Sequence, residues 1–294
     1  MTTFQDLFSK QAACYAQCRP HYPRDLLAYL AGLANERKLA WDVGTGNGQA
    51  AVGLAEHFDR VIATDGSAEQ IAHASPHGRV EYHVALAEEA GPTEGLNDAS
   101  VNLVTVAQAL HWFATEAFFA NVRRVLKQGG IIAAWCYGIH CVNPAIDAIS
   151  GRFYHEITGP YWPEGREYID EKYETIPFPF EEVKQSRDRK GAVGAERENG
   201  AASEANHPHP ATLPSNERET AFECRESWNV AQYVGYLHSW SAVQRFKEAK
   251  GYDPLDEIAD DLAVAWGDPE THRVVTWPIH LRLGQLHSAL ELEQ

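Results

Sequence analysis

No stretch of this sequence is both long and apolar enough to cross a bilayer. The longest apolar runs, residues 131–136 and 101–106 among them, fall far short of the roughly 20 residues that a spanning helix needs. Residues 1–10 mix Asp6 and Lys10 with isolated apolar side chains, and so lack the basic flank and unbroken apolar core of a secretory signal. A cytoplasmic protein is expected. The five cysteines are odd in number and irregular in spacing, which argues against a disulfide framework and fits small buried side chains in a reducing compartment. Cys14, Cys18 and His21 stand close together, but no second cluster with zinc-type spacing completes them, so no metal is expected. Positive charge is scarce: 25 Lys and Arg face 41 Asp and Glu, a net charge of −16. Affinity for nucleic acid comes largely from Lys and Arg displacing counterions, so a phosphate-rich partner is disfavoured and a small-molecule substrate is left open. The chain contains no internal repeat.

What is present is enough apolar material for one sizeable core, with 44% hydrophobic residues in 294. A single domain over 1–294 is expected. Pro23 begins a helix in which Leu26, Leu27, Leu30 and Leu33 form one apolar stripe. Short β-prone runs follow at 39–43, 60–64, 80–84, 101–106 and 131–135, the last after a Gly129-Gly130 turn. Helical patterns at 49–57, 67–75 and 113–126 separate them. Such alternation predicts a parallel sheet covered on both faces. Beyond Asn143 the chain turns rich in aromatics and proline, which reads as a cap. The segment 184–221 has no aromatic residue and only Val193 and Leu213 as large aliphatics, too little to offset its ordering entropy, and is expected to be a disordered insertion. Ser227 is a candidate N-cap for a following helix. Residues 273–283 read as a closing strand, with Pro278 marking an edge or a bulge.

The strongest local signal is Asp42-Val43-Gly44-Thr45-Gly46-Asn47-Gly48 between a predicted strand and a predicted helix. Glycines at 44, 46 and 48 allow backbone angles and ligand approach that side chains would block. The next strand ends at Asp65, about twenty residues on, where a carboxylate can grip ribose hydroxyls. The turn lacks the G-x-G-x-x-G/A spacing of dinucleotide sites. Asp42 would repel pyrophosphate but attract an amino group, and S-adenosylmethionine carries an ammonium and no phosphate.

The acid-x-G-x-G-x-G turn resembles that of class I S-adenosylmethionine-dependent methyltransferases (methyltransferase type 11 domain). The resemblance implies a Rossmann-like, doubly wound, mostly parallel seven-stranded sheet with helices on both faces and a helical cap. It implies that Gly44, Gly46 and Gly48 line the methionine and ribose parts of the cofactor and that Asp65 accepts both ribose hydroxyls. The backbone of Ala87 would meet the adenine edge, with Glu88 a substitute for the acid many members carry one place earlier. After the fourth strand comes Gln108-Ala109-Leu110-His111-Trp112-Phe113, where Gln108 can hydrogen-bond a ligand, His111 can orient or deprotonate a nucleophile, and Trp112 can exclude water. This form is similar to the subgroup that includes trans-aconitate methyltransferase, which esterifies a carboxylate. Tyr15, Arg19, Pro20, Tyr22 and Pro23 resemble its N-terminal cofactor-covering motif. Tyr161, Trp162 and Trp240 resemble its cap motifs, and for the two tryptophans core packing is the reading preferred over direct substrate contact. The implied layout is 1–35 covering the cofactor, 36–142 binding it, and 143–294 forming the substrate cap and closing strands.

The implied function is methyl transfer to a small acid, with His111 catalytic. A hydroxyl or amine acceptor, a nicotinamide-dependent oxidoreductase and a non-catalytic cofactor-binding scaffold are the alternatives.

Overall fold

A computed structural model describes residues 19–89, 93, 95–183 and 222–287. Tyr15 and the segment 184–221 lie outside the described residues. Eight strands occur among the described residues: β1 (Leu39–Val43), β2 (Arg60–Asp65), β3 (Val80–Val84), β4 (Val101–Ala107), β5 (Leu126–Tyr137), β6 (Glu181–Glu182), β7 (Glu223–Trp228) and β8 (Arg273–Gln285). Their order is β3-β2-β1-β4-β5-β8-β6, with β7 paired to β8 beside this path. Pairing is parallel from β3 through β5 and antiparallel at β8. The sheet is therefore the mostly parallel one that the alternating pattern predicts. It reaches eight strands because β8 pairs with three others. Its first half pairs with β7, its second with β5 and, at Gly284 and Gln285, with β6, and Pro278, which has no N–H to give, stands where the β7 ladder ends and the β5 ladder begins.

The helices are α1 (Arg24–Leu33), α2 (Gln49–Leu54), α3 (Ala68–Ala72), α4 (Glu116–Val125), α5 (Pro144–Arg152), α6 (Arg166–Asp170), α7 (Val230–His238), α8 (Ser241–Lys250) and α9 (Ala259–Trp266). Every side chain of β1 is buried, as a strand covered on both faces requires. Alternate residues serve two separate cores. Ala40, Val61, Leu103 and Trp135 belong to one, and Trp41, Ile62, Val104 and Ala134 to the other.

Three sequence expectations are corrected. Gly129 and Gly130 do not end an element, because β5 begins directly after α4 and runs through them, with Gly129 at φ +74° and the β4–β5 register shifting between Val101 and Leu103. The helix predicted over 113–126 starts at Glu116, capped by Thr115, whose hydroxyl accepts from the Phe118 N–H. Ser227 caps nothing, since it and Trp228 pair within β7. Asn229 caps α7 in a reciprocal capping box with Gln232, whose side chain can return the bond.

Strand order places the switch point between β1 and β4. From there successive connections run to opposite ends of the sheet, so the carboxyl ends of β1 and β4 border a crevice.

Candidate active site

At the end of β1 the chain turns through Gly44, Gly46 and Gly48, all at positive φ (66°, 56° and 84°). The turn fits tightly into its surroundings. A Cβ at 44 would lie 2.7 Å from that of Ala109, and one at 48 would lie 2.1 Å from the Tyr82 hydroxyl, which itself donates to the Ser75 carbonyl at 2.7 Å. Asp42 lies fully buried beneath the turn. Its carboxylate accepts from the Thr45 hydroxyl at 2.6 Å and from the hydroxyl of Thr105, its neighbour in β4, at 2.7 Å. Burial pushes its pKa up to about 6 against the opposing pull of these two hydroxyls. Asp65, at the end of β2, accepts from the Gly46 N–H and the Ser67 N–H, each at 2.8 Å. The cap of α3 is Ser67, so Asp65 is tied to the glycine turn and is not the helix cap.

Beyond β3, Ala87 is buried in a short 3-10 turn with Glu88 beside it. The Glu88 carbonyl accepts from the Asn121 side chain, and its carboxylate lies 3.5 Å from the Thr115 hydroxyl.

After β4, Gln108 takes φ +55°, a costly angle for a residue with a side chain. Its backbone N–H donates to the Trp135 carbonyl at 2.8 Å. Its side-chain amide donates to the Tyr137 carbonyl at 3.1 Å and accepts the Tyr137 N–H at 2.8 Å. Gln108 thus ties the ends of β4 and β5 together and at the same time lines the cleft described next.

His111 and Trp112 follow in a 3-10 turn and line a cleft with Arg19, Tyr154, Trp162, Arg166 and Trp240. The His111 Nδ1 lies 2.9 Å from the hydroxyl of Tyr173, which is fully buried. Burial, with the nearby Arg166 guanidinium, holds the His111 pKa down at about 3. Trp112 is 39% exposed at the rim. Trp162 packs against Tyr154 and Trp240 at centroid distances of 5.0 and 5.5 Å, so it both builds the cap core and faces the cleft. Trp240 is buried and does the same. Tyr161 stands outside the cleft lining, edge-on to Phe246 at 4.9 Å. The Arg19 guanidinium donates to the Ser239 carbonyl at 3.1 Å and lies over the Tyr236 ring.

Sequence reasoning missed Arg166, Tyr154 and Tyr173. Tyr154 sits in a wide π-type turn, Phe153–Ile157, that continues α5. Arg166 opens α6, lies over the Trp162 ring at 4.3 Å and donates through Nε to the Tyr154 hydroxyl at 2.6 Å. The one available hint was an isolated arginine just beyond the Tyr161-Trp162-Pro163 run.

Among the described residues no group of His, Cys, Asp and Glu side chains could hold a metal ion, and no helix is long and apolar enough to cross a membrane.

Residues 41–134 match the methyltransferase domain family, a span that contains the glycine turn, Asp65 and His111. A Dictyostelium discoideum protein described as a methyltransferase is 30% identical over 291 residues, covering 97% of this chain and 96% of its own. A Saccharomyces cerevisiae relative described as an S-adenosylmethionine-dependent methyltransferase is 28% identical over 132 residues, 43% of this chain and 45% of its own. The solved structure of a type II methyltransferase from Anaeromyxobacter dehalogenans superposes with a TM-score of 0.75 at 39% identity, over 92% of this chain and 98% of the other. The chain belongs to the class I S-adenosylmethionine-dependent methyltransferases. It is an enzyme of methyl transfer, and the nicotinamide and scaffold alternatives fall away.

Proposed function

We propose that the protein methylates a carboxylate of a small acid, with the acceptor held in the aromatic cleft beside His111. The observation that carries this reading is the charge of the cleft. In a chain with 41 acidic and 25 basic residues, the lining contains Arg19 and Arg166 and neither Asp nor Glu. Asp170 stands behind Arg166, 3.7 Å from its Nε, and offsets part of that charge, which leaves the cleft cationic overall. Guanidinium groups over aromatic faces suit a flat anionic ligand. The similarity of the Gln-Ala-x-His-Trp-Phe segment to carboxylate-esterifying enzymes points the same way.

The glycine cradle and its acidic partners fit the family's methyl donor. Gly44, Gly46 and Gly48 would admit its methionine and ribose parts, Asp65 would take the ribose hydroxyls, and Ala87 with Glu88 would border the adenine. Asp42, buried below the turn, would favour the ammonium through its charge rather than by direct contact. S-adenosylmethionine, when bound, would supply a methyl on a cationic sulfur able to take back the electron pair of its S–C bond as the acceptor oxygen takes the methyl. The protein's share is alignment and exclusion of water: His111 orients the acceptor, Arg166 anchors its charge, and Trp112, Trp162 and Trp240 wall the cleft.

The test is a panel of small carboxylic acids, with matched alcohols and amines, assayed for S-adenosylhomocysteine release. Acids are expected to turn over and their neutral analogues are not. Arg166→Met should raise KM for the acid by about ten- to a hundredfold, the worth of a charge-assisted hydrogen bond, while calorimetric affinity for S-adenosylmethionine stays unchanged. Asp65→Ala should abolish that affinity, and His111→Ala should lower kcat. Turnover confined to alcohols or amines, or full turnover by His111→Ala, would sink the reading.

A further inference from the structure

We infer that Tyr173 is a positioning residue that fixes His111 as the neutral tautomer with its proton on Nε2, so that the ring meets the cleft as a hydrogen-bond donor and not as a base. This rests on the placement of His111 in the acceptor cleft proposed above, and it settles which of two roles the ring plays there.

Two neutral tautomers are available to a histidine, and the choice belongs to whatever meets the first nitrogen. Here that group is a phenol with no exposure to solvent, 2.9 Å from Nδ1. Burial raises the Tyr173 pKa well above 10, so the hydroxyl keeps its proton. Among the described residues its hydrogen-bond partner is Nδ1 alone. A buried hydroxyl that accepted there would leave its own proton unpaired, so the proton is given to Nδ1. A ring that accepts at Nδ1 and is neutral carries its hydrogen on Nε2, which has no partner among the described residues and lies on a ring lining the cleft.

The neighbours of the ring oppose its protonation. Arg166 is the charged group that acts on it, and Tyr173 is neutral. Cys136, buried behind Tyr173, is held as the thiol by desolvation, and Asp170 is engaged by the Tyr154 hydroxyl at 2.5 Å. Among the described residues no carboxylate hydrogen-bonds the imidazole as it would in a base poised to take a proton. The backbone also spends strain here. Lys172 and Tyr173 both take left-handed angles (φ 58° and 62°), and the Tyr173 carbonyl is gripped by Arg282 at 2.8 Å, which together aim the phenol at the ring.

The chemical consequence is a restriction on the acceptor. A carboxylate that gains a methyl group becomes a neutral ester and releases no proton, whereas a hydroxyl or ammonium group must lose one. An Nε2–H donor can hold the former and cannot serve the latter.

The experiment is nitrogen-15 NMR of the imidazole rings in the full-length protein, from about pH 5.5 to about pH 8.5, with His111→Gln to assign the signal. The expected result is one unprotonated Nδ1 and one protonated Nε2, invariant over that range. Tyr173→Phe should lose the single tautomer, giving a mixture or a titration within the range. A wild-type ring that is protonated on Nδ1, mixed, or titrating near pH 6.5 overturns the inference even if the variant fails to fold. The spectrum needs no acceptor, so a wrong tautomer and a failed acid panel are separate outcomes.

Discussion

A methyl group at position 48 would force the Tyr82 ring off its bond to Ser75. It would sit 2.1 Å from the Tyr82 hydroxyl on a residue at φ +84°, so two independent penalties coincide. Gly48→Ala is expected to cost about 2–4 kcal/mol of stability, from left-handed strain and overpacking, and to weaken S-adenosylmethionine binding as well. Denaturant melts and calorimetry check both, and a variant with unchanged stability would remove the argument. Gly46 is different, because its virtual Cβ meets only the Gln70 side chain, at 3.9 Å, and the constraint there is backbone angle alone. The sequence showed that these positions need glycine, since residue type and spacing suffice for that. It did not show that Gln108 would spend its amide on Tyr137, because the partner is 29 residues away and contributes backbone atoms, which leave no mark on residue identity.

Among elements, α7 was placed one cap too early. Ser227 and Asn229 are both good cap residues, and local propensity cannot rank them when a β-pairing competes for the first. Pairing with β8 consumes the backbone of Ser227 opposite Val274, and the helix begins at the next residue type able to cap it. Asn229→Ala should cost about 1 kcal/mol, the usual worth of a cap with its reciprocal Gln232 bond, and should lower the melting temperature without altering KM. A larger loss with impaired turnover would mean that α7 positions Tyr236 and Trp240 more directly than packing implies. Strands β1 to β4 and β8 were legible to within a few residues because apolar β-branched runs are bounded by glycine and polar turns, whereas β6 and β7, short and largely polar, were not read at all. The glycines inside β5 misled, since Gly129 serves a bend within a strand and not an end.

For the whole molecule, buried titratable groups set the response to acid. Burial holds His111 and His140 at about 3, and, with Lys172, His280 at about 4, all from 6.5; it raises Asp42 from 3.8 to about 6. Between about pH 4 and 6 the unfolded chain carries three histidine protons that the folded chain lacks, while the folded chain carries one on Asp42 that the unfolded chain lacks. The unfolded state thus binds about two more protons, and stability rises with pH through this window by up to roughly 3 kcal/mol per unit. Solvent around the partly exposed His111 and His280 lowers that to on the order of 2 or less. The melting temperature should fall markedly between about pH 7 and about pH 5. A flat profile would show that these histidines are solvated.

At this scale the division between sequence and structure has a physical basis. Composition, periodicity and the 42–48 turn determined the class of fold, the cofactor type and the crevice, because a parallel sheet with a glycine turn at its switch point is specified by local pattern. Tyr161 shows the limit. It shares a motif with Trp162, yet one ring packs on Phe246 and the other faces the cleft, a choice made by how α8 meets the cap. Arg166, Tyr154 and Tyr173 became functional candidates only through tertiary structure. Each lies more than 40 residues beyond His111 or on a different element, and side-chain meetings across such distances depend on packing that no local pattern encodes.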